Sequence, residues 1–150
     1  MSKVPVFTPA ELKMVRDSYA EIEAQGERAA AVFYQRVFAL NPALRGLFHG
    51  DMREQGRKLI ATLGLISTAA DKLDELVPTL RQLGVRHMTY RVQEAHYGTV
   101  GSALLAMIED VLGPSRPPEL RLLWAKLYAF ISGQMISGAR EQSQESNAAP

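Results

Sequence analysis

The chain has no cysteine. That absence removes disulfides, thiolate metal sites, iron–sulfur clusters and a cysteine nucleophile, and leaves the redox compartment unreadable from thiols. An excess of charge is also lacking: 17 Lys and Arg stand against 16 Asp and Glu, for a formal +1. No run of basic residues is long enough to track a phosphate backbone, so no nucleic-acid partner is expected. Long apolar runs are missing too. The longest stretch without a charged residue or histidine, Leu127 to Ala139, carries glycine, serine and glutamine and is too short to cross a bilayer. The start, MSKVPVFTPAEL, has no apolar core of signal-peptide length. A soluble cytoplasmic protein without a membrane span is the expectation. No segment alternates with period two, and no repeat is visible. At 150 residues the chain suits one domain with one core.

What remains is helical patterning with clear punctuation. Thr8-Pro9-Ala10-Glu11 combines a capping residue, a proline at the first helical position and a glutamate three residues after the cap. It precedes Leu12, Val15, Tyr19 and Ile22, so a first helix is predicted to run to about Gly26. A second runs from Glu27, with Phe33, Tyr34, Val37, Phe38 and Leu40 on its apolar side, until Asn41-Pro42 breaks it. Pro42 opens a short turn of helix carrying Leu44, Leu47 and Phe48. After the polar connection HGDMRE, Leu59, Ile60, Leu63 and Ile66 mark another helix. A short one is expected from near Pro78 and a longer one from Gln93 or Glu94 to Gly113-Pro114. The last begins after Pro117-Pro118 and keeps Leu120, Leu123, Trp124, Leu127, Ile131 and Met135 on one stripe. Beyond Arg140, EQSQESNAAP has no apolar periodicity and reads as a disordered tail. The fold class is all-α, with about six main helices plus short ones.

One residue breaks the pattern. In LRQLGVRHMTY (Leu80 to Tyr90), counting back from His87 in threes and fours meets Leu83 or Gly84, Leu80, Leu76 or Val77, and Leu73, so the imidazole shares the interior face. A buried imidazole must hydrogen-bond both ring nitrogens, bind a metal with one, or lose solvation worth about 1–3 kcal/mol. The local sequence by itself favours a satisfied core histidine.

The rest of the chain reverses that reading. FYQRVFALNPALRGLF (Phe33 to Phe48), EQGRKLIATLG (Glu54 to Gly64), LGVRHMTYRVQEAHYGTVGSALL (Leu83 to Leu105) and LWAKLYAFI (Leu123 to Ile131), in this order and at these separations, resemble a globin. The likeness is to bacterial single-domain haemoglobins and the haem domain of flavohaemoglobins. It covers roughly Pro9 to Arg140, so the chain divides into a lead-in (1–8), a globin domain (9–140) and a tail (141–150).

The resemblance implies haem b (iron protoporphyrin IX) with His87 as the proximal iron ligand, its other ring nitrogen donating to a carbonyl or side chain. Tyr34 and Gln55 fall where related globins place a distal tyrosine and glutamine that donate to bound dioxygen. A hydrogen bond to a charged acceptor contributes about 1.5–3 kcal/mol, so slow oxygen release would follow. Phe48 matches the phenylalanine packed on the porphyrin, and Leu59 the aliphatic wall above it. Leu83, Val92, Val100 and Leu104 would complete the apolar pocket. Tyr97 matches a tyrosine that braces the proximal histidine, and equally reads as a core aromatic. The matching glutamate position holds Ala139, with Glu141 two residues on, which argues against a strong peroxidase-like push. Lys58 and Arg86 either reach the haem propionates or are solvated charges. His49 and His96 read as surface residues. Arg91 stands where the family often has glycine, so it restricts the bend after the helix or sets a charge near a propionate.

The function so implied is reversible binding of dioxygen, with NO and CO as further ligands, in a monomer or weak homodimer. The alternatives are nitric oxide dioxygenation, which would need a separate reductase because no βαβ unit or GxGxxG loop is present, and a gas or redox sensor.

Overall fold

The computed structural model describes residues 4–114 and 116–148, and among them it is helical without strands. Helix α1 (Pro9–Ala24) begins at the capping box read from the sequence: the Glu11 N–H donates to Thr8 Oγ1 at 3.1 Å and the Thr8 N–H to the Glu11 carboxylate at 2.8 Å. A single residue, Gln25, separates it from α2 (Gly26–Leu40). Gln25 is tied down at both levels, its backbone N–H donating to the Ile22 carbonyl and its side-chain amide to the Val111 carbonyl at 3.3 Å. Asn41 ends α2, and its side chain accepts the Ala43 N–H to open a 3₁₀ turn, Pro42–Leu47. Asp51 caps α3 (Met52–Thr68) by accepting the Arg53 N–H at 2.9 Å. A second 3₁₀ turn, Leu73–Leu76, leads into α4 (Val77–Thr89), with Pro78 in the first turn, where it sacrifices no hydrogen bond. Helix α5 (Glu94–Leu112) stops at Gly113, whose φ of +87° suits glycine. Helix α6 (Pro118–Ala148) closes the chain.

The last helix includes residues 141–148 of the segment whose composition reads as a tail, and 149–150 lie outside the described residues. No glycine or proline interrupts residues 139–148, and packing supplies what periodicity lacks: Glu141 pairs with Arg81, and the Ser143 hydroxyl lies 3.3 Å from the Met88 sulfur.

The core forms where α2 crosses α5 and α3, and where α1 meets α3, α5 and α6. Trp124, Ile22, Leu73, Met107, Leu127, Val15 and Val37 are its largest fully buried side chains. The indole N–H of Trp124 donates to Ser18 Oγ at 2.9 Å, and that hydroxyl donates onward to the Val15 carbonyl at 2.7 Å, joining α6 to α1 through a satisfied buried relay. Helix α4 is different. Its packing is chiefly on α6 and on the 3₁₀ turn before it.

Candidate functional site

One group of expected residues assembles where α2 crosses α3. Gly56 lets the two helices approach: a Cβ there would lie 2.8 Å from that of Ala30. Tyr34 follows Ala30 by one turn and Gln55 adjoins Gly56, so the Tyr34 hydroxyl reaches the Gln55 carbonyl and donates to it at 3.3 Å. The phenol ring is held edge-on by Phe33 and Phe48 (centroids 4.9 and 5.3 Å) and stacked with Phe38 at 6.2 Å. Phe38 in turn meets Phe48 at 5.6 Å, and the Arg45 guanidinium sits 4.7 Å from the Phe38 ring centre. Burial pushes the Tyr34 phenol up to about 12, because the apolar surroundings penalise the phenolate. Tyr34 is therefore a neutral donor at any physiological pH.

A second group forms at the end of α4. The Nδ1 of His87 lies 2.8 Å from the Leu83 carbonyl. A carbonyl only accepts, so Nδ1 carries a proton, and the tautomer this selects leaves the lone pair on Nε2. The helix ends in a Schellman motif: the Val92 N–H donates to the His87 carbonyl at 3.2 Å and the Arg91 N–H to the Met88 carbonyl at 3.0 Å. That motif requires a left-handed residue at Arg91, whose φ is +69°. The question the sequence left at Arg91 is answered on the backbone: the glycine-favouring conformation is kept, with an arginine adopting it.

The other expected residues divide by exposure. Phe48, Leu59, Leu83, Val92 and Val100 are half-buried, as is the Gln55 side chain, while Lys58 and Arg86 are exposed. Leu104 is deeper, 3% exposed, and borders a cavity of about 20 Å³ with Leu63, Trp124 and Leu127. Tyr97 lines a groove of about 330 Å³ between α5 and α6, where its carbonyl accepts the Tyr128 hydroxyl at 2.6 Å; burial raises both phenols. His49 is exposed, and His96 is committed to the start of α5, its Nδ1 accepting the Gln93 N–H at 3.0 Å. Phe38, Arg45 and Tyr128 were not singled out from the sequence as site residues. The i, i+4 spacing of Phe38 from Tyr34 was the available signal for one of them.

The donor set restricts what could be held. Among the described residues no three His, Cys, Asp or Glu side chains cluster as a metal site. His87 is thus a lone, oriented imidazole with a free nitrogen, flanked by incompletely buried apolar side chains. This fits a flat apolar group whose metal brings its own equatorial ligands better than a metal caged by protein alone.

Comparison with known proteins bears on the family and the fold. A family model described as Globin matches residues 31–135. Flavohemoproteins of Bacillus subtilis and Bordetella parapertussis are 26% identical over 137 residues and 28% over 138. These alignments take in 89% and 90% of this chain but 34% of each relative, so the chain spans about a third of the length of the curated relatives it matches. An engineered carbene transferase from Rhodothermus marinus superposes with a TM-score of 0.80 at 22% identity, covering 95% of this chain and 99% of that one. A bacterial globin from Campylobacter jejuni gives 0.79 at 21%, covering 91% and 99%. Both structures share the fold.

Proposed function

This chain belongs to the globin family, and from that premise we propose that it binds haem b and takes up dioxygen reversibly, with nitric oxide and carbon monoxide as further ligands. The observation that carries the reading is the bond from His87 Nδ1 to the Leu83 carbonyl, which leaves Nε2 as an oriented donor for iron. When bound, the group supplies a ferrous iron able to accept a diatomic molecule. The chain's own residues do the rest. His87 would hold the metal from one side. Phe48, Leu59, Leu83, Val92, Val100 and Leu104 would exclude water from the faces of the ring, and the exposed Lys58 and Arg86 would meet its carboxylates.

Tyr34 presents the proton that distinguishes one diatomic ligand from another. Its bond to the Gln55 carbonyl, at 3.3 Å, is long for a hydroxyl donor. The O–H can therefore turn from that acceptor toward a ligand atom bearing partial negative charge, with little lost. Burial keeps the proton on the oxygen. The Gln55 amide is the second donor.

Reconstitution of the purified chain with haemin tests this reading. A Soret band and a five-coordinate ferrous spectrum are expected. The His87→Ala variant should lose stable haem and regain it with added imidazole. A parent chain that takes up no haem would end the proposal.

A second reading has one observation in its favour, the likeness to flavohemoproteins over most of this chain. In it the same pocket combines nitric oxide with dioxygen to give nitrate, consuming one electron per turnover from a separate reductase. Stopped-flow mixing of the oxygenated protein with nitric oxide decides: rapid stoichiometric nitrate with efficient re-reduction supports the dioxygenase, and slow oxygen release without sustained turnover supports oxygen binding.

A further inference from the structure

Helix α4 is held to the rest of the chain by α6, and the contact is backbone against backbone. A Cβ on Gly84 would overlap the carbonyl of Met135 on α6, and a Cβ on Gly138 would overlap the carbonyl of Arg81 on α4. The two contacts are reciprocal: residues 81 and 84 on one helix, 135 and 138 on the other, are each one turn apart. A long side chain in the way could swing aside, but a helical carbonyl cannot, because its position is fixed by the ladder it belongs to. No side chain separates the helices at this crossing, so it has none of the rotamer freedom that lets ordinary helix pairs slide. Carbonyl oxygens facing glycine Cα–H groups add weak hydrogen bonds across it. The Arg81–Glu141 ion pair and the Ser143–Met88 contact extend the seam along the last turns of α6.

His87 lies one turn beyond Gly84, and Leu83, whose carbonyl orients the imidazole, adjoins Gly84 in the chain. We propose that Gly84 and Gly138 are positioning residues for His87. Helix α6 sets the place and ring orientation of the imidazole, so this half of the site is assembled before any haem arrives. An axial donor already in position loses less conformational freedom on binding than one that must fold around its ligand. The arrangement also assigns a task to residues 139–144: they lengthen the strut on which α4 is mounted. The purpose given to His87 rests on the haem reading above, whereas the lock itself can be tested without haem.

The measurement is hydrogen–deuterium exchange on the full haem-free chain, read by mass spectrometry of peptides from α4, α5 and α2. In the parent, α4 should be protected to within about tenfold of α5. In Gly138→Ala, α4 alone should exchange about 100-fold faster, α2 and α5 keeping their protection. Gly98→Ala serves as the control, since a Cβ there meets nothing within 4 Å, and it should leave the pattern unchanged. Free exchange of α4 in the haem-free parent, or equal protection in Gly138→Ala, overturns the proposal. Should Gly138→Ala fail to fold, Glu141→Ala on the exposed end of the seam must loosen the turn of α4 that carries Arg81 selectively, and an unchanged pattern there is equally fatal. After reconstitution, the iron–histidine stretching band should shift or broaden in Gly138→Ala and match the parent in Gly98→Ala. The two readings fail separately: a loose α4 in a chain that still binds haem through His87 removes only the lock, and a protected α4 in a chain that takes no haem removes only the haem.

Discussion

The hydroxyl of Tyr34 donates to the main-chain carbonyl of Gln55, 3.3 Å away, across the crossing of α2 and α3. The phenol therefore has a resting acceptor supplied by backbone, which mutation of the Gln55 side chain leaves in place. Tyr34→Phe removes the donor while keeping the ring among Phe33, Phe38 and Phe48. Oxygen dissociation from the reconstituted protein should accelerate by about 10- to 100-fold, the equivalent of one hydrogen bond to a charged acceptor, and autoxidation should quicken with it. Unchanged release by stopped flow would take Tyr34 out of the ligand chemistry.

The same phenol gives a pH prediction. Its folded-state value is raised from 10.0 to about 12, so the folded state favours the protonated form. The associated stability is fully present below pH 10 and is lost as pH rises through about 12. Alkaline difference spectra of the parent against Tyr34→Phe should show the tyrosinate contributed by this residue appearing only near the upper end of that window. Ionisation near pH 10 would mean that the ring is not enclosed as described.

Arg91 is a non-glycine residue in left-handed conformation at the close of the Schellman motif. An L-residue there costs about 1–2 kcal/mol, and glycine's greater freedom in the unfolded chain returns about half of that. Arg91→Gly should therefore stabilise the fold by about 0.5–1 kcal/mol, seen as a higher urea midpoint at constant slope. Arg91→Val should move the midpoint the other way.

Ser18 is the acceptor for the buried Trp124 indole. Ser18→Ala orphans that N–H and should destabilise by about 1–3 kcal/mol. In Trp124→Phe/Ser18→Ala the second substitution should add much less than it does alone, because the donor is already gone. Additive losses in a denaturation cycle would show that the two side chains act independently.

The order of helices was legible because its signals are local. Thr8 and Glu11 name the start of α1, Asn41-Pro42 the end of α2, and Gly113 the end of α5, each through backbone chemistry within a turn of itself. The resemblance brought His87, Tyr34 and Gln55 forward, and the structure adds that Tyr34 and Gln55 touch and that His87 bonds to Leu83. Other features depend on segments far apart in sequence. Gly84 and Gly138 lie on separate helices, and nothing near either glycine announces a close crossing. The end of α6 depends on distance in the same way: residues 141–144 lack an apolar stripe, and their contacts are with Arg81 and Met88 on α4.

The one-residue joint at Gln25 limits how chains of this kind can vary in length. An added residue there would turn α2 by about 100° about its axis. Such a rotation would carry Tyr34 away from Gln55 and dismantle the aromatic cage in one step. The junction between α5 and α6 contributes no residue to the proposed site. Insertions and deletions among descendants of this sequence should therefore be found at the second junction and purged from the first, a bias that lineage comparison can measure without a single purified protein.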